Sequence, residues 1–372
     1  MNLKIPVAEP SIGEEESKLI CEAIRGGWVS SEGEFVEEFE EKFAKYIGPK
    51  YAVATSSGTS ALHLALVALG IGCKDDVIIP TLTFASVANA VIYTGSDPVL
   101  IDSHPEYWCI NPQRIEDKMN KKTKAIIPVH LYGHPCDTET ILKIAQDHNL
   151  YVIEDCAEAH GAEYKGRKVG SFGDVACFSF YGNKIITTGE GGMCLTNDED
   201  LAEKMRILRD HGMRPEKRYW HEVVGFNYRM TNLQAALGVA QIEKIDLFVR
   251  RKREIAETYN SLLKDVNGVT LPPEMLWARN VYWMYSVLIS EKEFGLGRDE
   301  LMIELAEDGV ETRRFFYPLH TMPPYEKYSN EYDFHVADTL SSCGINLPSG
   351  IKLKDEEIQE ITQLISNSQK GF

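Results

Sequence analysis

Five short apolar runs constrain this chain more than any other feature. They cover residues 51–55, 76–80, 98–102, 125–129 and 151–154. Each is too short to be a helix, and each is nearly continuous in apolar residues rather than alternating. Strands of that kind are buried on both faces, which happens when crossover helices cover a parallel sheet. The intervening segments supply such helices. Leu62, Ala65, Leu66 and Leu69 recur at helical spacing on one face, and 138–148 fits a second crossover. The fold class expected is α/β, with a mostly parallel central sheet covered by helices. Sites in such sheets gather beyond the carboxyl ends of the strands, where Thr55-Ser56-Ser57, Asp102, His130 and Asp155 fall.

The pattern changes after Thr231. It becomes helical to about Leu263, followed by a strand over 282–289 and an amphipathic stretch over 298–307. Short runs at 310–313 and 345–348 precede a last helix over 355–366. This predicts a large domain over 1–247, including an N-terminal segment, and a smaller α+β domain over 248–372.

Three segments carry candidate chemistry. Lys184 follows the aromatic run Phe178-Ser179-Phe180-Tyr181 and precedes Thr188-Gly189-Glu190-Gly191-Gly192. Glycines there let backbone and ligand approach closely. Asp155 and Glu158 end the apolar run at 151–154. Ser56-Ser57-Gly58-Thr59-Ser60 joins a strand to a helix, so Gly58 and Thr59 offer helix-start amides to an anion. An amine, a carboxylate and an anion cradle are what pyridoxal phosphate needs: a Schiff-base lysine, an acid on the pyridinium nitrogen and a phosphate site. Asp155 would meet the ring nitrogen and Glu158 the phenolic oxygen, while Ser179 could add a hydroxyl to the phosphate. Phe84 could stack on the ring face or pack in the core; the residues alone leave both readings open.

Other features narrow the class. The formal net charge of −17 argues against a nucleic-acid backbone as partner. No apolar stretch approaches the ~20 residues that span a bilayer, and the first ten residues lack the apolar core of a signal peptide. The eight cysteines are scattered without a Cys-x-x-Cys pair, which points to reduced thiols and the cytoplasm. His130, His134 and Cys136 crowd together but have no second ligand group at zinc-like spacing, so no metal is expected.

Taken in order, Ser57-Gly58-Thr59-Ser60-Ala61-Leu62-His63, Glu154-Asp155-Cys156-Ala157-Glu158-Ala159, Phe178-Ser179-Phe180 with Asn183-Lys184, Thr188–Gly192 and Gly225-Phe226-Asn227-Tyr228-Arg229-Met230 resemble the sugar aminotransferases of the DegT/DnrJ/EryC1/StrS family. The resemblance spans essentially the whole chain. It implies a fold-type I enzyme that uses pyridoxal 5'-phosphate and works as a homodimer with shared active sites. It implies Lys184 as the Schiff-base lysine, Asp155 at the ring nitrogen, and Gly58, Thr59 and Ser179 at the phosphate. Asn227 would reach the phosphate from the other subunit. Relatives that dehydrate their sugar carry histidine where this chain has Lys184, so transamination is favoured. Many members carry glutamine at the position of Glu158. The implied reaction takes an amino group from L-glutamate to C4 of a nucleotide-linked 4-keto-6-deoxy sugar. Segments 182–192 and 320–325 are most similar to a branch acting on a GDP-linked sugar; UDP- and dTDP-sugars, and sugar dehydration, are the alternatives. Tyr317 and His320 are candidates for the sugar pocket.

Overall fold

A computed structural model describes residues 4–214, 216–329 and 333–370. Its centre is a seven-stranded sheet in the order Tyr51–Thr55, Gly192–Thr196, Val175–Ser179, Tyr151–Asp155, Thr123–Ile126, Asp76–Pro80, Asp97–Ile101. Gly192–Thr196 runs antiparallel to both neighbours, and the other pairings are parallel. The expected strand over 125–129 is regular only as far as Ile126, because Pro128 has no amide to give the ladder, and pairing resumes in a single bridge from Val129 to Asp155. The Pro128 carbonyl still accepts the Asp155 amide at 2.9 Å.

Helix Gly58–Ala68 is buried on nearly every side, not on one face alone. Its residues between Ser60 and Leu66 are all buried, so its apolar content covers the sheet below and helices Ser86–Tyr93 and Glu199–Arg209 beside it. The N-terminal helices Glu14–Gly26 and Glu34–Ile47 pack on Asn232–Ile242. Phe39 and Phe43 carry that contact toward Phe178 and Phe180, with ring centroids 4.9–5.1 Å apart.

A second, four-stranded antiparallel sheet is ordered Val269–Thr270, Tyr285–Ile289, Gly344–Leu347, Arg313–Arg314. Helix Ile245–Leu263 joins the two cores. Its Phe248 and Val249 belong to the first, and its Ile255, Ala256, Tyr259 and Leu263 to the second. The expected boundary near 248 therefore lies inside a continuous helix. Phe315, Leu319, Tyr325 and Leu340 return to pack in the first core.

The strand expected from 282 begins only at Tyr285. Tyr282 has φ +48°, a left-handed conformation that interrupts extended backbone. Its amide donates to Asn280 Oδ1 at 2.8 Å, its hydroxyl donates to Glu274 Oε2 at 3.1 Å, and the Val281 amide donates to the Gly133 carbonyl at 3.2 Å. These bonds hold the turn that brings Trp283 out of the ladder and toward the first sheet.

Glu154 anchors the strand that ends in Asp155. Its buried carboxylate accepts the amides of Gly170, Phe172 and Gly173 at 2.7–2.9 Å, and His130 Nε2 lies 3.3 Å away. The Cys136 amide donates to His130 Nδ1, so Nε2 carries the proton and donates to Glu154. His130, Glu154 and Cys156 form a metal-like cluster, but this bonding uses the lone pairs of His130 and Glu154 for structure. Glu154→Gln replaces one acceptor oxygen with a donor facing amides. We expect a loss of about 2–4 kcal/mol in urea unfolding; a loss under about 0.5 kcal/mol would show that the loop does not depend on this carboxylate.

Candidate active site

The carboxyl ends of the central strands open on a cavity of about 520 Å³, a size suited to a cofactor with part of a substrate. One wall is the start of helix Gly58–Ala68. Ser57 caps it, its Oγ accepting the Ser60 amide at 3.1 Å. The next amides, those of Gly58 and Thr59, have no carbonyl one turn behind them in the helix. Ser179 stands against them. A Cβ on Gly58 would lie 2.7 Å from Ser179 Cβ and 3.2 Å from its Oγ, so only glycine permits this approach.

The floor holds Asp155, Glu158 and Lys184. Asp155 is 4% exposed, and its Oδ1 accepts the Ala157 amide at 3.0 Å. Burial pushes its carboxyl above the ordinary range, against the pull of that amide and of Lys184. Glu158 accepts the Tyr132 amide at 2.8 Å. Burial raises its pKa to about 7, although the nearby Lys184 works the other way. Lys184 Nζ lies 4.0 Å from Glu158 Oε1, with its side chain 10% exposed. Burial lowers the lysine's pKa, and Glu158 and Asp155 oppose that shift. Both partners are thus driven toward their neutral forms, as suits an amine that must act as a base.

Lys184 is held by a folded loop. Its amide donates to the Tyr181 carbonyl at 2.9 Å, Thr187 Oγ1 donates to the Phe180 carbonyl at 2.9 Å, and the Gly189 amide donates to Thr187 Oγ1 at 2.9 Å.

Residues 10–366 match the model of the DegT/DnrJ/EryC1/StrS aminotransferase family. The chain belongs to this family. It is 48% identical to a GDP-perosamine synthase of Caulobacter vibrioides over 361 residues, covering 96% of each chain. It is 48% identical to a GDP-perosamine synthase of Escherichia coli O157:H7 over 364 residues, covering 97% of this chain and 98% of that one. Among solved structures, DesV of S. venezuelae, crystallised in complex with a ketimine intermediate, superposes with a TM-score of 0.91 at 33% identity, over 96% of this chain and 95% of that one.

Family membership makes this a sugar aminotransferase whose cofactor is pyridoxal 5'-phosphate. The cavity fits that group on its own terms. The helix start and Ser179 hydroxyl suit a phosphate. Asp155 is a buried carboxylate, and a protonated pyridine nitrogen would give it a close cationic partner. Lys184 is an amine facing the same space. Thr83 Oγ1 and Asn183 Oδ1, both in the lining, are buried without a hydrogen-bond partner, which leaves polar capacity for a ligand.

Gly58, Thr59, Phe84, Asp155, Glu158, Ser179 and Lys184 therefore share one cavity. Phe84 is 57% exposed rather than packed in the core, and its ring meets Phe316 at 5.7 Å. Asn227, Tyr317 and His320 do not line the cavity of their own chain. Asn227 is exposed, its Oδ1 accepting from Arg229. The Tyr317 hydroxyl accepts from Arg314 Nη1 at 2.8 Å. His320 bonds Thr81 Oγ1 at 2.8 Å and Asp338 Oδ1 at 3.0 Å and stacks on Phe334. In this chain it clasps helix His335–Cys343 to the strand end at Pro80.

Sequence reasoning missed the far wall: Trp283, Arg313, Arg314, Phe316 and Asn346. All come from around the second sheet. Only Arg313-Arg314, a cationic pair in an acidic chain, carried any signal of it. Gly58→Ala should weaken pyridoxal phosphate binding at least tenfold in a cofactor titration while leaving the fold intact by circular dichroism. Unchanged affinity would remove the helix start from the phosphate site.

Proposed function

We propose that this enzyme transfers the amino group of L-glutamate to C4 of GDP-4-keto-6-deoxy-D-mannose, giving GDP-perosamine. The observation that carries this reading is 44–48% identity, over nearly the whole chain, to three GDP-perosamine synthases, together with a lysine at position 184 facing two buried carboxylates.

Pyridoxal phosphate, when bound, supplies a conjugated ring that accepts the electron pair of a breaking C–H bond. Asp155 keeps the ring nitrogen protonated. Lys184 Nζ takes the proton from Cα of glutamate, and in the second half-reaction delivers a proton to C4 of the sugar. Glu158, 4.0 Å away, balances the charge on Nζ as the proton comes and goes. The helix start and Ser179 anchor the phosphate. Phe84, Tyr132, Trp283 and Phe316 line the cavity and exclude water. Arg313 and Arg314 suit the anions common to both substrates, the glutamate carboxylates and the nucleotide diphosphate.

A homodimer with shared sites is part of the proposal. Asn227 lies outside the lining of its own cavity, and the same loop exposes Tyr219, Trp220 and Val224, an apolar surface suited to a second copy. A cytoplasmic setting is supported by eight unpaired cysteines, five of them buried.

A panel of GDP-, UDP- and dTDP-4-keto-6-deoxy sugars with glutamate, read by mass spectrometry, tests the substrate. Amine gain on the GDP-mannose derivative is expected. Preference for another nucleotide, or loss of water without amine gain, would refute the proposal. Lys184→Ala should abolish turnover yet retain cofactor; steady-state transamination by that variant would remove Lys184 from the chemistry. Co-expressed Lys184→Ala and Asn227→Ala subunits should recover part of the activity, provided that Asn227→Ala alone is impaired. Mixed dimers without recovery would place Asn227 in its own subunit's fold.

A further inference from the structure

Trp283 is more than a wall of the cavity, because its ring is in contact with the amine of Lys184. Lys184 Nζ stands over the indole, 3.8 Å from the ring centroid. The indole is nearly buried and is held from two sides. Its Nε1–H donates to the Asn183 carbonyl at 2.8 Å, one residue before the lysine. Its own carbonyl accepts from Lys252 Nζ at 2.7 Å. Lys252 is buried in helix Ile245–Leu263 and donates also to the Ser349 carbonyl at 2.6 Å. Burial alone lowers its pKa, to about 7. Burying an ammonium against neutral acceptors is costly, and what it fixes here is the peptide of Trp283.

We propose that the indole face of Trp283 is the seat of Lys184 Nζ whenever that nitrogen is free and protonated, which makes Trp283 a further catalytic residue. The proposal rests on the reading of Lys184 as the proton carrier. Such a carrier must hold a positive charge in a cavity that resists charge. An aromatic face attracts a cation without offering a site that can take its proton. A carboxylate in contact could take that proton itself. Of the other charged groups around the amine, Glu158 and Asp155 attract it, and Glu190, Arg313 and Arg314 lie in the lining of the same cavity. His160 beneath is kept neutral, its pKa pushed down to about 3 by burial.

The test reads Lys184 directly. Only the free amine attacks an aldehyde, so the pH profile for capture of pyridoxal 5'-phosphate by the full-length apoprotein gives the lysine's pKa. Trp283→Leu removes the ring face, and the midpoint should fall by roughly 0.5–1.5 pH units. A mere wall predicts the opposite sign, because losing the indole admits water and relieves the burial of the ammonium. An unchanged or raised midpoint overturns the proposal. Fluorinated tryptophan, incorporated biosynthetically, weakens the ring's charge with little change of shape. It should lower the midpoint in the native sequence and not in Trp283→Leu; no shift in the native sequence also overturns the proposal. A Lys184→Ala control separates the two levels. Covalent capture by that variant refutes the underlying assignment of Lys184, whereas a silent control with an unmoved midpoint refutes only the seat at Trp283.

Discussion

A carboxylate buried at the end of a parallel strand is the constraint from which the rest of this site follows. Asp155 cannot hold a full charge cheaply among apolar neighbours, and burial alone pushes it toward the neutral form. A cationic partner reverses that balance, and a pyridine nitrogen becomes such a partner when protonated. The backbone does not yield to relieve the cost. The Asp155 amide donates to the Pro128 carbonyl, and its carbonyl accepts the His130 amide at 3.1 Å. One residue earlier, Glu154 gathers three amides and His130, which locks the loop below. The acid is thus presented rigidly before any ligand arrives, which is the condition for electrostatic catalysis.

The rest of the site is arranged around that fixed point by two separate pieces of chain. The central sheet supplies the helix start, the two carboxylates and the lysine loop. The second sheet supplies the opposite wall through Arg313, Arg314 and Asn346, and the turn that leads into it supplies Trp283. What joins them is continuous structure. Helix Ile245–Leu263 contributes to both cores, and its Lys252 holds the Trp283 peptide. The left-handed Tyr282 turns the chain so that the indole leaves its ladder. Strain at that residue is held by three surrounding hydrogen bonds, a cost accepted where the chain meets the active site.

The first half of this arrangement could be read from the residues. Strands 51–55 and 76–80 fall where their continuous apolar runs put them, and helices 138–148 and 298–307 where the helical pattern puts them. Lys184, Asp155, Glu158 and Ser179 meet in space because each sits at or just beyond a strand end, and strand ends converge in a parallel sheet. The elements of the second sheet were partly legible, but their place against the site was not. Gly192–Thr196 inserts antiparallel between two strands, and nothing in Gly-Met-Cys-Leu-Thr states its direction. Trp283 reads as one more core aromatic, because its placement depends on a φ at Tyr282 that no side-chain pattern announces. His320 looks like a ligand-binding histidine in isolation; its bonds to Thr81 and Asp338 depend on a distant helix, His335–Cys343.

Whether Asp155 holds the cofactor ring protonated is decided by nuclear magnetic resonance of the enzyme loaded with pyridoxal 5'-phosphate labelled with ¹⁵N in its ring. The shift of that nitrogen reports its protonation. A protonated nitrogen is expected in the native enzyme throughout the range in which it is folded, and a deprotonated one in Asp155→Asn at neutral pH. The same shift in both proteins would contradict that role of Asp155.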